Sequence, residues 1–281
     1  MLTITLRFSF AKAFNRHSFS WRHVRLLSSR IDEISPSIND VSLNIDEVSS
    51  ADEDSAGSRQ SSSRRRKKLR QHVNPLAAQH QAPIKLDENW VASSFSNPHL
   101  PFVIDVGCAK GGWPLQFAQS NSQSNVLGLE IRQPCVDYAL RRKQFWNVTN
   151  VHFLGLNANI DLSRVFQDLK ASADVEMVTI QFPDPHFKAR HKKRRVVNSE
   201  FVDCLAKNLS SQKKVFLQSD ILELTEYMVE CFASHPQFTP CEGYDSAALH
   251  LNPNPTGILT EREVATLAKP QDVYRMMFRR I

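Results

Sequence analysis

The sequence predicts an α/β fold, in which a mostly parallel sheet carries helices on both faces. From about residue 100 onward, short apolar segments rich in Val, Leu, Ile and Phe alternate with longer amphipathic segments. This alternation is typical of buried parallel strands joined by helices. The 281 residues are enough for one large domain or two small ones. The composition, 41% apolar and 23% charged, is close to that of an average soluble protein.

Six segments are predicted as strands because each is short and rich in apolar residues. The first three are Phe102–Val106, Asn125–Glu130 and Val151–Gly155, followed by residues 175–182, 214–218 and 273–278. The last of them is predicted to pair as a late edge strand. Two helices are predicted from apolar residues at helical spacing, one behind an N-cap at Asn198 and one through Ile221, Leu224, Met228 and Phe232.

Charge is unevenly distributed over the first 70 residues. Residues 1–30 carry six Lys or Arg and no acid, residues 31–58 carry eight acids and no Lys or Arg, and residues 59–70 carry seven cations. An Arg-rich, acid-free start without a continuous apolar stretch is typical of an organelle transit peptide, and a basic tail on a cytosolic protein is the alternative. We predict a transit peptide and an acidic, Ser-rich linker over 1–62, a basic extension over 63–95 and the folded domain over 96–281.

Two protein classes are disfavoured by what the sequence lacks. The five cysteines are scattered and form no C-x-x-C pair, which argues against a disulfide framework and a zinc site. No segment has the roughly 18 consecutive apolar residues that a membrane-spanning helix requires. We therefore expect neither a bound metal nor an association with a membrane.

The loops that follow the strands are where such a sheet binds its ligands. Asp105 lies in the first strand, and the glycine-rich run 107–112 (GCAKGG) follows; glycine lets backbone approach a ligand closely. An ordinary tight turn is the alternative, and the run does not match the dinucleotide-binding pattern G-x-G-x-x-G. Glu130 ends the second strand, where cofactor domains place an acid for a ribose diol. Asn157 follows the third, suited to an adenine edge or to capping a helix.

The segment 181–195 (QFPDPHFKARHKKRR) is the most specific in the chain. A proline on each side of Asp184 restricts the backbone and prevents a helix, so the carboxylate is presented on a stiff loop, the PDP loop. Six cations within eight residues follow, which suits a phosphate backbone. A solvated basic face or a nuclear-import signal is the alternative. These cations are Lys188, Arg190, Lys192, Lys193, Arg194 and Arg195.

Together these segments resemble the tRNA (guanine-N7)-methyltransferase family. The resemblance runs from 70–75 (RQHVNP) to Arg280 and includes the glycine-rich run, 128–132 (GLEIR), the PDP loop, 218–220 (QSD) and 259–263 (LTERE). It implies a Rossmann-like class I methyltransferase fold of seven strands, the last antiparallel. The implied reaction transfers a methyl group from S-adenosylmethionine to N7 of a guanine in tRNA, in the variable loop.

The resemblance also implies a role for each candidate site residue. Asp184 would be the acid of the catalytic site. The cofactor would be lined by Asp105, Gly107, Glu130, Asn157 and Ala158. The tRNA would contact Lys188, Asp220, Thr260 and Glu263. The sequence departs from many relatives at Ala109, where they have glycine, and at Asn157, where they have Asp.

Two other functions stay open at this point. A nicotinamide-dependent oxidoreductase shares the fold class but requires the full G-x-G-x-x-G loop. A non-catalytic RNA-binding subunit would use the basic stretches 64–70 and 188–195 without transferring a methyl group. Binding of S-adenosylhomocysteine or of NAD would separate these functions.

The resemblance to bacterial single-chain relatives also implies partners and a location. We expect tRNA as the partner and no second protein subunit, so that residues 60–281 alone are active. An organelle is expected, with the chloroplast favoured over the mitochondrion, because 70–76 (RQHVNPL) resembles cyanobacterial relatives.

Overall fold

The computed structural model describes residues 73–281, and the predicted transit peptide, the linker and the basic stretch 59–70 lie outside them. The strands are β1 Phe102–Val106, β2 Asn125–Glu130, β3 Val151–Gly155, β4 Val175–Gln181, β5 Lys214–Ser219, β6 Phe238–Pro240 and β7 Tyr274–Arg280. The helices are α1 Trp90–Ser94, α2 Gly112–Ser120, α3 Gln133–Phe145, α4 Ala158–Lys170, α5 Ser199–Asn208, α6 Leu222–Ala233 and α7 Glu261–Leu267. Short 3-10 helices span Ala78–His80, Ala189–Arg194 and Leu249–Leu251.

The seven strands form one sheet in the order β3-β2-β1-β4-β5-β7-β6. Strands β1 to β5 pair in parallel, and β7 runs antiparallel to both β5 and β6. The predicted α/β class with a mostly parallel sheet and an antiparallel last strand is confirmed. The prediction that residues 273–278 form an edge strand is wrong, because β7 lies between β5 and β6. The three-residue β6 is too short to give an apolar pattern of its own, so the sequence did not reveal it.

Apolar side chains of the strands pack helices onto both faces of the sheet. In β1, Val103 belongs to the cluster that includes α2 and α3, whereas Phe102 and Ile104 on the other face belong to the cluster that includes α1, α4, α5 and α6. Alternate residues of a strand point to opposite faces, so an all-apolar strand requires cover on both. Trp90 and Phe95 lie in the second cluster, so part of the segment before residue 96 packs on the domain.

The helix starts follow the capping residues in the sequence. Asn198 accepts a hydrogen bond from the backbone N–H of Phe201 at 2.8 Å, which confirms the predicted N-cap of α5. Asn157 caps α4 and Thr260 caps α7 in the same way. Among residues 73–281, no helix combines the length and the apolar character needed to cross a membrane.

Candidate active site

The candidate site lies at the carboxyl ends of the parallel strands, and the strand register decides which polar side chains meet there. Asp105 of β1 is the register partner of Thr179 in β4. Two residues further along β4, Gln181 is paired with Gln218 of β5, which is paired with Arg275 of β7. Parallel strands end at one edge of a sheet, so these side chains form rows across it.

Asp105 is a buried carboxylate held by neighbours on β4. Its side chain is 3% exposed, and Oδ1 accepts hydrogen bonds from the hydroxyl of Thr179 at 2.6 Å and from Nε2 of Gln181 at 3.1 Å. Burial raises the pKa of Asp105 to about 6, although these two bonds oppose the rise. A buried acid with a raised pKa next to a glycine-rich loop is typical of a ligand site.

The raised pKa predicts how stability depends on pH. Because the folded protein holds this proton more tightly than the unfolded chain, stability is lost as pH rises from about 4 to about 6. We expect Asp105→Asn to stabilise the cofactor-free protein at pH 7.5 by up to about 3 kcal/mol, with the difference vanishing near pH 4. Thermal unfolding across this pH range measures it, with the exposed Asp137→Asn on α3 as the control. Equal stabilities at pH 7.5 would contradict the prediction.

The carboxylate of Glu130 accepts hydrogen bonds from Arg132, two residues later, and from the glycine-rich run. Its Oε1 accepts from N and Nε of Arg132, both at 2.9 Å, and its Oε2 accepts from Nη2 of Arg132 at 2.8 Å and from the N–H of Ala109 at 3.0 Å. A carboxylate has about four acceptor positions, so a ribose diol would replace the side-chain bonds of Arg132. Hydrogen bonding to Glu130 raises the pKa of Arg132, and the charge of Asp184 contributes to the rise. Arg132 thus connects the two acids electrostatically.

The backbone of the glycine-rich run is partly left-handed. Gly107 and Gly111 have φ of 83° and 73°, and Ala109 has φ of 50°. The left-handed conformation costs a non-glycine residue about 1–2 kcal/mol, which explains physically why glycine suits position 109. A Cβ added at Gly107 would meet no atom within 4 Å, so the run leaves open space for a ligand there.

The side-chain amide of Asn157 is hydrogen-bonded to other groups of the protein. Its Oδ1 accepts from the N–H of Asn159 at 3.2 Å, and its Nδ2 donates to the carbonyls of Pro75 and His80 at 3.2 and 3.0 Å. The helix-capping alternative is therefore realised, and the side chain also holds the segment before α1. Ala158 begins α4 beside it and is half-buried. Contacts of either residue with a cofactor stay a prediction.

The PDP loop has two strained residues. Phe182 and His186, two residues before and after Asp184, have φ of 50° and 45°. Such conformations cost about 1–3 kcal/mol each and persist only where the surroundings enforce them. The strain brackets Asp184, which is half-buried. Strained loops of this kind cluster at functional sites.

The basic run after the PDP loop divides into exposed and buried members. Lys188, Arg190, Lys192 and Lys193 are exposed, and Arg194 is half-buried. Arg195 is 3% exposed, so the expectation that all six cations face a phosphate backbone is wrong at this position. Its guanidinium packs against the protein, which the charge pattern alone could not show.

The predicted RNA-binding residues Asp220, Thr260 and Glu263 are all engaged by other groups of the protein. Asp220 pairs with Arg262 of α7, and Thr260 forms a capping box with Glu263. Glu263 is 0% exposed; its Oε1 lies 2.7 Å from Nη2 of Arg275. Its contact with RNA stays a prediction, since in this structure the carboxylate binds protein groups.

The two glutamines that connect Asp105 to Glu263 were not among the predicted site residues. Nε2 of Gln218 donates to Oε1 of Gln181 at 2.7 Å and to Oε2 of Glu263 at 3.3 Å, and Gln181 in turn donates to Asp105. Both glutamines are buried. The signal was present, because a polar residue at the end of an otherwise apolar strand requires a partner. A continuous hydrogen-bonded path therefore joins Asp105 to Glu263.

Comparison with known proteins gives a consistent family. Residues 99–276 match the family model described as "Putative methyltransferase". The tRNA (guanine-N(7)-)-methyltransferase of Trichormus variabilis is 41% identical over 214 residues, which cover 76% of this chain and 96% of that protein. The enzyme of that name from Prochlorococcus marinus strain NATL1A is 37% identical over 210 residues, covering 75% and 96%.

Comparison with solved structures gives more distant matches. The aminoglycoside resistance methyltransferase NpmB1 is 13% identical and has a TM-score of 0.47, with 70% of this chain and 95% of that chain covered.

Proposed function

The chain belongs to the tRNA (guanine-N(7)-)-methyltransferase family, and from this premise we propose that it transfers a methyl group from S-adenosylmethionine to N7 of a guanine in tRNA. We place that guanine in the variable loop, on the family resemblance. The observation that carries the proposal is about 40% identity over nearly the whole length of the matched enzymes. Both the oxidoreductase alternative and the non-catalytic alternative are disfavoured by the same match to enzymes named as methyltransferases.

The residues at the strand ends fit the cofactor. S-adenosylmethionine supplies an electrophilic methyl group on a sulfonium. The open space beside Gly107 suits a close approach by this ligand, the carboxylate of Asp105 suits its cationic amine, and Glu130 suits its ribose diol. Glu130 accepts the diol once the side chain of Arg132, which is 22% exposed, turns away from it.

The chemistry at guanine requires alignment more than a strong base. N7 carries an exposed lone pair, so no proton is removed before it attacks the methyl group, and catalysis can rest on orientation and charge. We assign to Asp184 the binding of guanine N1–H and N2–H₂. Its negative charge would also stabilise the positive charge that develops on the purine.

The direct test is methyl transfer by the purified full-length chain alone. The chain is incubated with S-adenosylmethionine and unmodified tRNA transcript. Nucleoside mass spectrometry detects 7-methylguanine, and its position in the tRNA is then mapped. We expect one modified guanine, in the variable loop, without added protein. Activity only after addition of a second polypeptide would overturn the single-subunit part of the proposal. Binding of S-adenosylhomocysteine without transfer would support a non-catalytic subunit, and binding of NAD would support an oxidoreductase.

The exposed cations after the PDP loop should supply part of the tRNA affinity. We expect replacement of Arg190, Lys192 and Lys193 by Ala to weaken tRNA binding and to reduce the salt slope of log K by about 0.9 for each lost phosphate contact. Transfer at saturating tRNA should persist. Binding titrations at several salt concentrations measure the slope, and an unchanged slope would assign these side chains to a solvated face. Replacement of the exposed Lys269, in the C-terminal part of the chain, is the control.

We also propose that the chain acts in an organelle, with the chloroplast favoured. The support is the Arg-rich, acid-free composition of residues 1–30 and the identity with enzymes such as that of Trichormus variabilis. Residues 1–60 fused to a fluorescent protein should enter the chloroplast, whereas entry into mitochondria would select the second organelle. A fusion spread through cytosol and nucleus would remove the transit-peptide proposal and leave the enzymatic one intact.

A further inference from the structure

Arg195 differs from the other cations that follow the PDP loop. Its side chain is 3% exposed, whereas those of Lys188, Arg190, Lys192 and Lys193 are exposed. A side chain that is buried in this way cannot join the electrostatic surface that binds a phosphate backbone. Arg195 therefore needs another explanation than its neighbours.

The guanidinium of Arg195 makes three kinds of contact at once. Its Nε donates to the carbonyl of Pro185 in the PDP loop at 2.9 Å. Its guanidinium lies over the ring of Tyr227 in α6, with the guanidinium carbon 4.6 Å from the ring centroid. Its Nη2 lies 3.5 Å from Oε1 of Glu223, also in α6. A planar guanidinium carries several donors in a fixed plane and can make these three contacts at once, whereas a lysine ammonium is a single point charge.

These contacts tie the PDP loop to α6 directly beside Asp184. Pro185 is the residue after Asp184, so its carbonyl belongs to the same short stretch of backbone. Asp184 and Arg195 also line one small depression, together with Leu224 and Met228 of α6. The strained φ of Phe182 and His186 requires an external constraint on this loop, and Arg195 supplies one.

The burial of Arg195 is incompletely compensated. Its Nη1 is buried and has no hydrogen-bond partner among the described residues. Burying a guanidinium costs desolvation free energy. A role in fixing the loop accounts for this cost.

We propose that Arg195 is a positioning residue, which fixes the PDP loop on α6 and so holds the carboxylate of Asp184 in place for guanine. The tRNA backbone is bound by the exposed cations instead. This inference rests on the proposed methyl transfer to guanine. It assigns different tasks to adjacent residues of one basic run, and this difference can be measured.

The test compares Arg195→Lys with the exposed Lys193→Ala in the full-length protein. For Arg195→Lys we expect the single-turnover rate at saturating tRNA to fall about 10- to 100-fold, the size of effect that misplacement of a reacting group produces, with the salt slope of tRNA binding unchanged. For Lys193→Ala we expect the slope to fall by about 0.9. The exposed Lys269→Ala, outside the proposed site, is the control and should keep both the slope and the saturated rate of wild type. The opposite assignment, a reduced slope and a normal saturated rate for Arg195→Lys, would overturn the proposal.

Two further measurements keep the test decisive. Hydrogen exchange of the amides in 182–188 needs no substrate, and it should be faster in Arg195→Lys and unchanged in Lys193→Ala; equal exchange in all three proteins would overturn the inference. If wild type transfers no methyl group, the proposed function fails, and this exchange still decides whether Arg195 fixes the loop.

If Arg195→Lys does not fold, Glu223→Gln replaces it, because Glu223 is 61% exposed. Glu223→Gln should lower the saturated rate more than Lys192→Ala, which removes only the other cation paired with Glu223; equal rates would overturn the inference.

Discussion

Asp184→Asn is expected to lower the rate of methyl transfer by about one to three orders of magnitude, the range observed when one electrostatic contact of a transition state is lost. The substitution keeps the size of the side chain and removes its charge. The positive charge that develops on guanine then loses its counter-charge, and N1–H loses a carboxylate acceptor. Single-turnover transfer to tRNA at saturating cofactor measures the effect.

Binding measurements separate this role from a structural one. We expect the affinity for S-adenosylhomocysteine to change little, because Asp105 and Glu130 at the neighbouring strand ends are retained. The exposed Asp137→Asn on α3 is the control and should keep the wild-type rate. A near-wild-type rate for Asp184→Asn would mean that the carboxylate is not needed for transfer and that the PDP loop serves the fold only.

Glu263→Ala is expected to lower the free energy of unfolding by about 3–5 kcal/mol, which is the usual cost of removing one partner from a buried ion pair. Glu263 is 0% exposed, and its carboxylate accepts from Arg275 at 2.7 Å and from Asn254 and Gln218 at 3.3 Å. Its loss would leave the guanidinium of Arg275, whose side chain is only 12% exposed, without its counter-charge. Denaturant unfolding at pH 7.5, in the absence of cofactor and tRNA, measures the change.

The matched control is a substitution of Glu261, which lies in the same turn of α7 as Glu263. Glu261 is 70% exposed, so Glu261→Ala should change stability by less than about 1 kcal/mol. The double variant Glu263→Gln with Arg275→Met should recover part of the loss, since it removes both charges. Wild-type stability of Glu263→Ala combined with weaker guanine binding would show that Glu263 contacts the substrate and does not stabilise the fold.

The position of the site was largely predictable from local sequence. The first three predicted strands have the bounds found in the structure, because a fully buried parallel strand is marked by an apolar segment of its own. Glycines and acids at the ends of such strands then define the ligand-binding edge. The prolines around Asp184 restrict the backbone of the PDP loop whatever lies around it. Each of these features is determined by residues close together in the chain.

Contacts between distant residues decided the rest. The position of β7 depends on β6, whose three residues are separated from it by 33 residues of chain (241–273) and carry no periodic signal. Asn157 is bound by carbonyls about 80 residues away. Because these partners come together only in the folded chain, no local pattern announces them.

The basic run shows the division between sequence and structure most clearly. The sequence by itself determined that Arg195 ends a run of cations beside a stiff, acid-bearing loop. Only the tertiary structure decided that this cation is buried, since the ring of Tyr227 that covers it and Glu223 that pairs with it come from α6, about 30 residues later. Charge is a property of the residue, whereas burial is a property of its neighbours. The same difference separates Glu263, buried against Arg275, from the exposed Glu261 two residues earlier.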